Sequence, residues 1–192
     1  MVNWNKWFYK KAPKIFKDCG IKPGDIVIDF GAGEGDYTIS IATFIKQENS
    51  NGKVIAIDKD EYNLNKLKNQ SRKLNLLDNI EIIHNKGKLV INKTEDFADA
   101  VLVFDVLHYF TKDERNILYE EIHRVLVPKG LLITFPNHYR DLYPLWNLRN
   151  MSLNDIIKEI EAHNFQLISQ WNGELIHDHV WFNGIVLSFQ KL

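Results

Sequence analysis

The residues best suited to chemistry lie in one glycine-rich segment near the start of the chain. Asp29-Phe30-Gly31-Ala32-Gly33-Glu34-Gly35-Asp36 overlaps the end of an apolar run, Ile26–Phe30, and leads into a stretch with helical spacing. Glycine permits positive φ angles and lets a ligand approach the backbone closely. In doubly wound sheets, ligands bind at the carboxyl ends of the strands. The segment therefore predicts a ligand-binding turn between a first strand and a first helix; a tight turn without a ligand is the alternative.

This loop does not match either of two common phosphate-binding patterns. Counted from Gly31, the last position of G-x-G-x-x-G/A and the second glycine of G-x-x-x-x-G-K-[ST] both fall on Asp36. Asp36 is neither glycine nor alanine, so both patterns fail. Glu34 and Asp36 would also oppose a diphosphate at the helix N-terminus, where the helix dipole attracts anions. The loop therefore favours a ligand with little net negative charge.

A second acidic residue, Asp58, ends the apolar run Val54-Ile55-Ala56-Ile57-Asp58. It lies about 20 residues beyond the glycine loop, as does the acid that binds the ribose in dinucleotide sites. A carboxylate at such a strand end can accept hydrogen bonds from both ribose hydroxyls. Together with the loop, Asp58 predicts an adenosine-containing ligand.

The elements that must position these residues alternate between strand and helix. Strands are predicted at Ile26–Phe30, Lys53–Asp58, Ile80–His84, Ala100–Phe104, Leu131–Phe135, Phe165–Trp171 and Val180–Phe189, with helices over Asp36–Lys46, around Leu64 to Leu74, from Thr111 to about Leu126, and after Ser152. Pro128-Lys129-Gly130 should stop the third of these helices, and a loop containing Asn172-Gly173 should separate the last two strands. Asn85 to Phe97 is open between loop and short helix.

This order predicts an α/β fold with a doubly wound, mostly parallel seven-stranded sheet and an antiparallel C-terminal strand.

The chain has 192 residues, 45% of them hydrophobic and 26% charged, with a net charge of −1. This composition suits one folded domain and excludes a generally basic nucleic-acid binder. Cys19 is the single cysteine, which excludes an intrachain disulfide and favours a cytoplasmic location. No targeting or membrane-spanning segment is expected.

Four segments resemble one known family. VIDFGAGEG and VIAIDKD resemble motif I and the acidic second motif of class I S-adenosylmethionine-dependent methyltransferases, with the type 11 or UbiE-like small-molecule enzymes as the most similar subgroup. Asp99–Phe110 is similar to the family's fourth-strand segment, and Leu126–Phe135 to its L-K-P-G-G turn and fifth strand. The resemblance implies a Rossmann-like methyltransferase fold, with residues 20–192 as one S-adenosylmethionine-binding domain. Residues 1–19 would form an N-terminal helical lid.

The resemblance also implies a reaction and a site. The enzyme would transfer a methyl group from S-adenosylmethionine to a small-molecule acceptor by in-line displacement. The net positive charge of about one on this cofactor suits Glu34 and Asp36. The implied cofactor-binding residues are Asp29 (amino group), Gly31, Ala32, Gly33 and Gly35 (methionine moiety), Asp58 (ribose), Lys59 (adenine), Asn85, Lys86 and Asp105. Asn85-Lys86 replaces the family's Gly-Asp pair, and lysine cannot accept a hydrogen bond from adenine.

Two histidine-containing segments could add to the chemistry. His108, just past the fourth strand, is the candidate general base, needed only where the acceptor must lose a proton; a pocket-lining residue without proton transfer is the alternative. His177-Asp178-His179 would place two imidazoles on one side of an extended chain. The sequence offers no third ligand, so a polar loop is preferred and no metal site is predicted.

Two alternative functions stay open at this stage. Trp4–Lys17 mixes aromatic residues with lysines, which suits a protein or RNA acceptor, although an amphipathic helix over the pocket is the preferred interpretation. The replacement of the family's Gly-Asp pair by Asn85-Lys86 favours a non-catalytic S-adenosylmethionine-binding module. A second aromatic stretch, Tyr139–Trp146, could form the acceptor pocket or a packed surface loop. Nucleic-acid and membrane partners are not expected, and the oligomeric state is open.

Overall fold

Seven strands form one sheet in the computed structural model, which describes residues 2–192. The strands are β1 (Ile26–Phe30), β2 (Lys53–Asp58), β3 (Ile80–His84), β4 (Ala98–Phe104), β5 (Leu126–Phe135), β6 (Phe165–His177) and β7 (Val180–Lys191). Their order is β3-β2-β1-β4-β5-β7-β6. β1 to β5 pair in parallel, and β7 pairs antiparallel with both β5 and β6. The predicted fold class is confirmed.

Helices cover both faces of the sheet and give two hydrophobic cores. They are α1 (Trp4–Lys6), α2 (Ala12–Asp18), α3 (Asp36–Gln47), α4 (Glu61–Lys73), α5 (Lys112–Val125) and α6 (Leu153–Glu161). The predicted start of α5 is confirmed: Thr111 Oγ1 accepts a hydrogen bond from the Glu114 amide, and the Glu114 carboxylate accepts one from the Thr111 amide. Ser152 and Asp155 make the same reciprocal bonds at the start of α6. These caps satisfy amide groups that a helix start otherwise leaves unpaired.

The N-terminal segment packs as an amphipathic helix against α3. A π-helical turn, Trp7–Lys11, joins α1 to α2. Trp7, Phe8 and Phe16 are buried in the same core as the α3 side chains. Met1, the first residue of the predicted 1–19 lid, lies outside the described residues.

The start of β5 differs from the prediction. The strand follows α5 directly at Leu126, and Pro128-Lys129-Gly130 lies inside it. Ala98 pairs with Leu126 while Ala100 pairs with Leu131, so the intervening residues form a bulge in the ladder. A bulge tolerates a proline, which cannot donate to the ladder, so this motif interrupts the strand rather than preceding it.

The predicted loop at Asn172-Gly173 is wrong. Both residues lie inside β6, and Gly173 pairs with Gly184 of β7. The Trp171 ring occupies the space beside Gly173, where a Cβ atom would lie 2.5 Å from a ring carbon. The hairpin turns instead at Asp178-His179, both with positive φ, as a two-residue type I′ turn requires.

The segment from Asn85 to Phe97, which the sequence left open between loop and short helix, is a loop with turns, and β4 begins at Ala98.

Among residues 2–192, no helix combines the length and the apolar character needed to cross a bilayer.

Candidate functional site

A cavity of about 780 Å³ opens at the carboxyl ends of β1, β2 and β4. Its wall includes the glycine loop after β1, Asp58 and Lys59 at the end of β2, and Asp105 after β4. The tip of the β6–β7 hairpin, from Ile176 to His179, forms another side. This is the edge of a doubly wound sheet at which ligands bind, so the topology brings together residues from distant parts of the sequence.

The glycine loop is held in one backbone conformation. The Gly31 and Ala32 amides donate to the Ile57 carbonyl at 2.8 and 3.0 Å. Gly31 has φ of +85°, and a Cβ atom there would lie 2.3 Å from Val106 Cγ1. Gly35 has φ of +98° and precedes α3. Only glycine fits these positions without strain. Gly31, Ala32 and Gly33 line the cavity, whereas Gly35 lies behind the loop against Leu67.

Asp58 links the end of β2 to the glycine loop. Its Oδ2 accepts a hydrogen bond from the Gly33 amide at 2.8 Å, and its Oδ1 accepts one from the Asp60 amide at 2.8 Å. A carboxylate offers about four acceptor positions, so capacity remains for two ligand hydroxyls. Asp58 and Lys59 both line the cavity, as the sequence predicts.

Asp29 lies behind the loop rather than in the cavity wall. It is 2% exposed, and its Oδ2 accepts a hydrogen bond from Thr38 Oγ1 at 2.5 Å. Burial raises the pKa of Asp29 from its ordinary 3.8 to about 6, while the Thr38 bond acts in the opposite direction. In this structure Asp29 is tied to the first turn of α3 through Thr38 and is not part of the cavity wall.

The Asn85-Lys86 pair forms a turn after β3. Asn85 lines the cavity, but its side chain serves its own turn: Oδ1 accepts from the Gly87 amide at 3.1 Å, and Nδ2 donates to the Lys88 carbonyl at 2.8 Å. Lys86 has positive φ and lies outside the wall. Gly87, Lys88 and Leu89 form this part of the wall instead, a contribution that the sequence prediction missed.

Asp105 meets a group of side chains that the sequence prediction did not bring together. Its Oδ2 hydrogen-bonds with His177 Nδ1. Asn137 Nδ2 donates to its Oδ1 at 3.0 Å. Burial raises the pKa of Asp105, while His177 and Asn137 act in the opposite direction. Asp105 and His177 both line the cavity.

The placement of His108 does not support its predicted role as general base. The ring is 1% exposed, lies outside the cavity wall and stacks on Trp146 with ring centroids 4.8 Å apart. Burial, followed by the charges of His138 and His177, lowers the pKa of His108 to about 3. A buried ring that holds a proton so weakly is poorly suited to that role. Trp146 and the rest of the 139–146 stretch cover this side of the site without lining the cavity.

The two histidines of the H-x-H motif point to different partners. His177 bonds with Asp105, whereas His179 Nδ1 lies 3.6 Å from Asp36 Oδ2 and its Nε2 lies 3.8 Å from Glu34 Oε2. The tight turn at Asp178-His179 removes the extended conformation that the motif would need to bind a metal through both rings.

The cavity wall carries an excess of acidic residues. The carboxylates belong to Glu34, Asp36, Asp58, Asp60, Asp105, Glu114 and Asp178, and the two lysines are Lys59 and Lys88. Seven carboxylates against two lysines favour a cationic ligand over an anionic one.

Comparison with known proteins places this geometry in a family. A family model described as a methyltransferase domain matches residues 27–130, more than half of the chain. The chain belongs to this methyltransferase family. The matched region contains the glycine loop, Asp58, Asn85-Lys86 and Asp105, so the family pattern covers most of the cavity wall.

Relatives of this methyltransferase-family chain include enzymes named for small-molecule substrates. It is 31% identical to the sterol 24-C-methyltransferase of Eremothecium gossypii over 119 residues, 61% of this chain and 29% of that protein. It is 29% identical to the demethylmenaquinone methyltransferase of Lactobacillus johnsonii over 117 residues, 61% of this chain and 46% of that protein. The chain therefore spans less than half the length of these curated relatives.

A solved structure supports the fold over the whole chain. The SAM-dependent methyltransferase from Aquifex aeolicus superposes with a TM-score of 0.77 and 19% identity, covering 100% of this chain and 94% of that one. At this identity the likeness establishes the architecture, and function must be argued from the site.

Proposed function

We propose that the protein binds S-adenosylmethionine in this cavity and transfers its methyl group to a small-molecule acceptor. The observation that carries the proposal is the acidic cavity at the carboxyl ends of β1, β2 and β4, most of whose wall lies in the region that matches the methyltransferase family. Seven carboxylates against two lysines suit a cofactor with a net positive charge and disfavour a dinucleotide.

The residues present fit the parts of this cofactor. Asp58 has acceptor capacity left for the ribose hydroxyls, and the backbone of Gly31, Ala32 and Gly33 offers a surface for the methionine moiety. Lys59, Asn85 and Asp105 also line the cavity, and in the proposed complex Lys59 would lie next to the adenine. Three of the predicted residues would act indirectly, by shaping the glycine loop and the turn after β3: Asp29, Gly35 and Lys86. When bound, the cofactor supplies an activated methyl group.

The task left to the protein in this reaction is to align the acceptor and exclude water. Tyr37, Phe104 and Ile176 give the cavity an apolar side near Asp105. Tyr37 also donates from its hydroxyl to the Ile176 carbonyl at 2.7 Å, which ties α3 to the hairpin. The hairpin tip is therefore held over the glycine loop, where it can separate the reacting atoms from solvent.

The excess of acidic residues in the cavity wall favours a small acceptor over RNA, and so does the packing of the N-terminal segment. The aromatic side chains Trp7 and Phe8, which could have stacked on bases, are buried in the core. Lys11 pairs with Glu174 and lies over the Trp181 ring at 4.5 Å. The sterol and menaquinone names of the relatives agree with a small, apolar acceptor. We propose residues 20–192 as the cofactor-binding domain, and a cytoplasmic location stays a prediction.

Calorimetry against S-adenosylmethionine, S-adenosylhomocysteine and NAD tests the cofactor assignment. We expect the first two to bind with one site per chain and NAD not to bind; binding of NAD alone would reject the proposal. A labelled-methyl screen of metabolite, RNA and protein extracts then tests the acceptor. Label in the small-molecule fraction supports the proposal, label in RNA or protein corrects the acceptor, and tight cofactor binding with no transfer indicates a non-catalytic module.

A further inference from the structure

Metal-ligating side chains gather at the part of the cavity wall that Asp105 forms. Asp105 follows β4, His108 lies in the next turn, and His138 follows β5. One ligand atom from each residue lies within 4.8 Å of the others, and His108 Nδ1 is 3.8 Å from Asp105 Oδ1. Two imidazoles and one carboxylate are a donor set that suits divalent transition metals, whereas Ca²⁺ and Mg²⁺ take oxygen ligands.

Apolar packing does not explain why the imidazole of His108, a polar group, is buried. Neither ring nitrogen has a hydrogen-bond partner, although the side chain is 1% exposed. Leaving a buried polar atom without a hydrogen-bond partner carries a free-energy cost, because the atom has lost its bonds to water. A metal ion bound to one ring nitrogen would remove that cost at one of the two atoms.

The other two candidate ligands are already oriented. His138 Nδ1 lies 3.0 Å from the Tyr143 carbonyl oxygen, which makes Nδ1 the donor and leaves the lone pair on Nε2. Histidine ligands of metals are commonly held in this way through the second nitrogen. Asp105 is held by Asn137 on one oxygen and by His177 on the other.

We propose that Asp105, His108 and His138 form a binding site for one divalent transition-metal ion of the Zn²⁺ or Fe²⁺ class. In a tetrahedral site, bonds of about 2.1 Å place neighbouring ligand atoms about 3.4 Å apart, so the ligand atoms would close on one another by at most about 1.4 Å. Asp105 lies in the cavity wall, so the open coordination positions would face the cavity. If the proposed methyl transfer is correct, these positions would bind an oxygen of the acceptor, which points to an acceptor with a hydroxyl, enol or carboxylate group.

Metal titration of the full chain tests the site directly. The chain is stripped with a chelator, titrated with Zn²⁺ and with Co²⁺, and analysed for bound metal per chain and for the Co²⁺ d–d absorption spectrum. We expect one ion per chain and a spectrum of nitrogen and oxygen ligands without sulfur. His108→Asn and His138→Gln should each weaken binding more than tenfold, and Asn137→Ala by about 10–100-fold through Asp105.

His163→Asn is the matched control, because His163 lies two residues after α6, outside the proposed ligand set, and its Nδ1 bonds with the Glu159 carbonyl. It should bind the metal as the wild type does. Circular dichroism shows which variants are folded, and a loss of binding is counted only in those. Absence of stoichiometric binding by the wild-type chain, or unchanged binding by folded His108→Asn and His138→Gln, overturns the proposal. S-adenosylmethionine affinity measured on the metal-free chain tests the proposed function separately.

Discussion

At the scale of single residues, Asp58 carries the clearest expectation for cofactor binding. Asp58→Ala removes both the acceptor for the ribose hydroxyls and the acceptor for the Gly33 amide. We expect S-adenosylmethionine binding to weaken by about 1–3 kcal/mol, because buried hydroxyls would lose their partner. Calorimetry measures this change, with Asp78→Ala, an exposed acid away from the cavity, as the control. An unchanged affinity in Asp58→Ala would remove Asp58 from the site.

Asp29 gives a prediction about stability and pH. Its pKa in the folded state is about 6, above its ordinary 3.8, because the carboxyl group is buried. The folded state therefore binds the proton more tightly, so the stability that Asp29 contributes is complete below pH 3.8 and is lost as the pH rises through 6. A difference of about two pKa units between the folded and unfolded states lowers the free energy of unfolding at pH 8 by about 3 kcal/mol.

Asp29→Asn removes the buried charge and keeps an oxygen that can accept the Thr38 hydrogen bond. We expect this variant to have a free energy of unfolding up to about 3 kcal/mol above the wild type at pH 8, and a much smaller difference at pH 4. Urea unfolding at both pH values measures the difference, with Asp78→Asn as the control. A difference of the same size at both pH values would contradict this explanation.

The residues of the site differ in how far the sequence could predict them. Gly31, Gly33 and Asp58 were predictable because each lies next to an apolar strand in the sequence, and the strand end fixes its position. His177 and His138 were not associated with Asp105, because strand order brings them together across long stretches of chain. His108 was placed at the correct strand end, but its burial under Trp146 depends on a loop about 40 residues further along.

At the scale of elements, the cap of α6 can be tested apart from the cavity. Ser152 Oγ accepts from the Asp155 amide at 3.1 Å, and Asp155 accepts from the Ser152 amide at 2.8 Å. Ser152→Ala removes the first of these bonds, so we expect the free energy of unfolding to fall by about 0.5–2 kcal/mol. S-adenosylmethionine affinity should not change, because α6 does not line the cavity. Denaturant unfolding and calorimetry measure the two quantities.

Asn154→Ala provides the comparison within the same helix, since Asn154 is exposed. Its stability should stay within about 0.5 kcal/mol of the wild type. If Ser152→Ala and Asn154→Ala lower the free energy of unfolding by the same amount, the loss of the cap is not the cause of the destabilisation.

Elements with strong local signals were predicted well, and elements set by pairing were not. β1, β2 and β3 match their apolar runs residue for residue, and the helix caps could be read from Thr111 and Ser152. The β6–β7 hairpin was mispredicted because Asn-Gly usually marks a turn. Here Gly173 faces Gly184 and accommodates the Trp171 ring, a packing requirement that local sequence does not reveal.

At the scale of the whole molecule, the N-terminal segment links the core to the cavity. Trp7 is fully buried, and its indole nitrogen donates to the Asp36 carbonyl at 3.1 Å, at the start of α3 next to the glycine loop. Its ring also packs against Tyr37 and Trp181, which belong to α3 and β7. A lid that opened at this point would expose Trp7, Phe8 and Phe16 to water, with a cost of about 1.5–3 kcal/mol for each large side chain.

Hydrogen exchange distinguishes a lid from a fixed part of the core. We expect the amides of residues 11–18 to exchange as slowly as those of α3, because the segment and α3 bury their side chains in one core. S-adenosylhomocysteine should then slow exchange in the glycine loop and at the hairpin tip, without a separate effect on residues 11–18. Fast exchange of the segment in the free protein, slowed when S-adenosylhomocysteine binds, would instead show that residues 1–19 open as a lid and close over the cofactor.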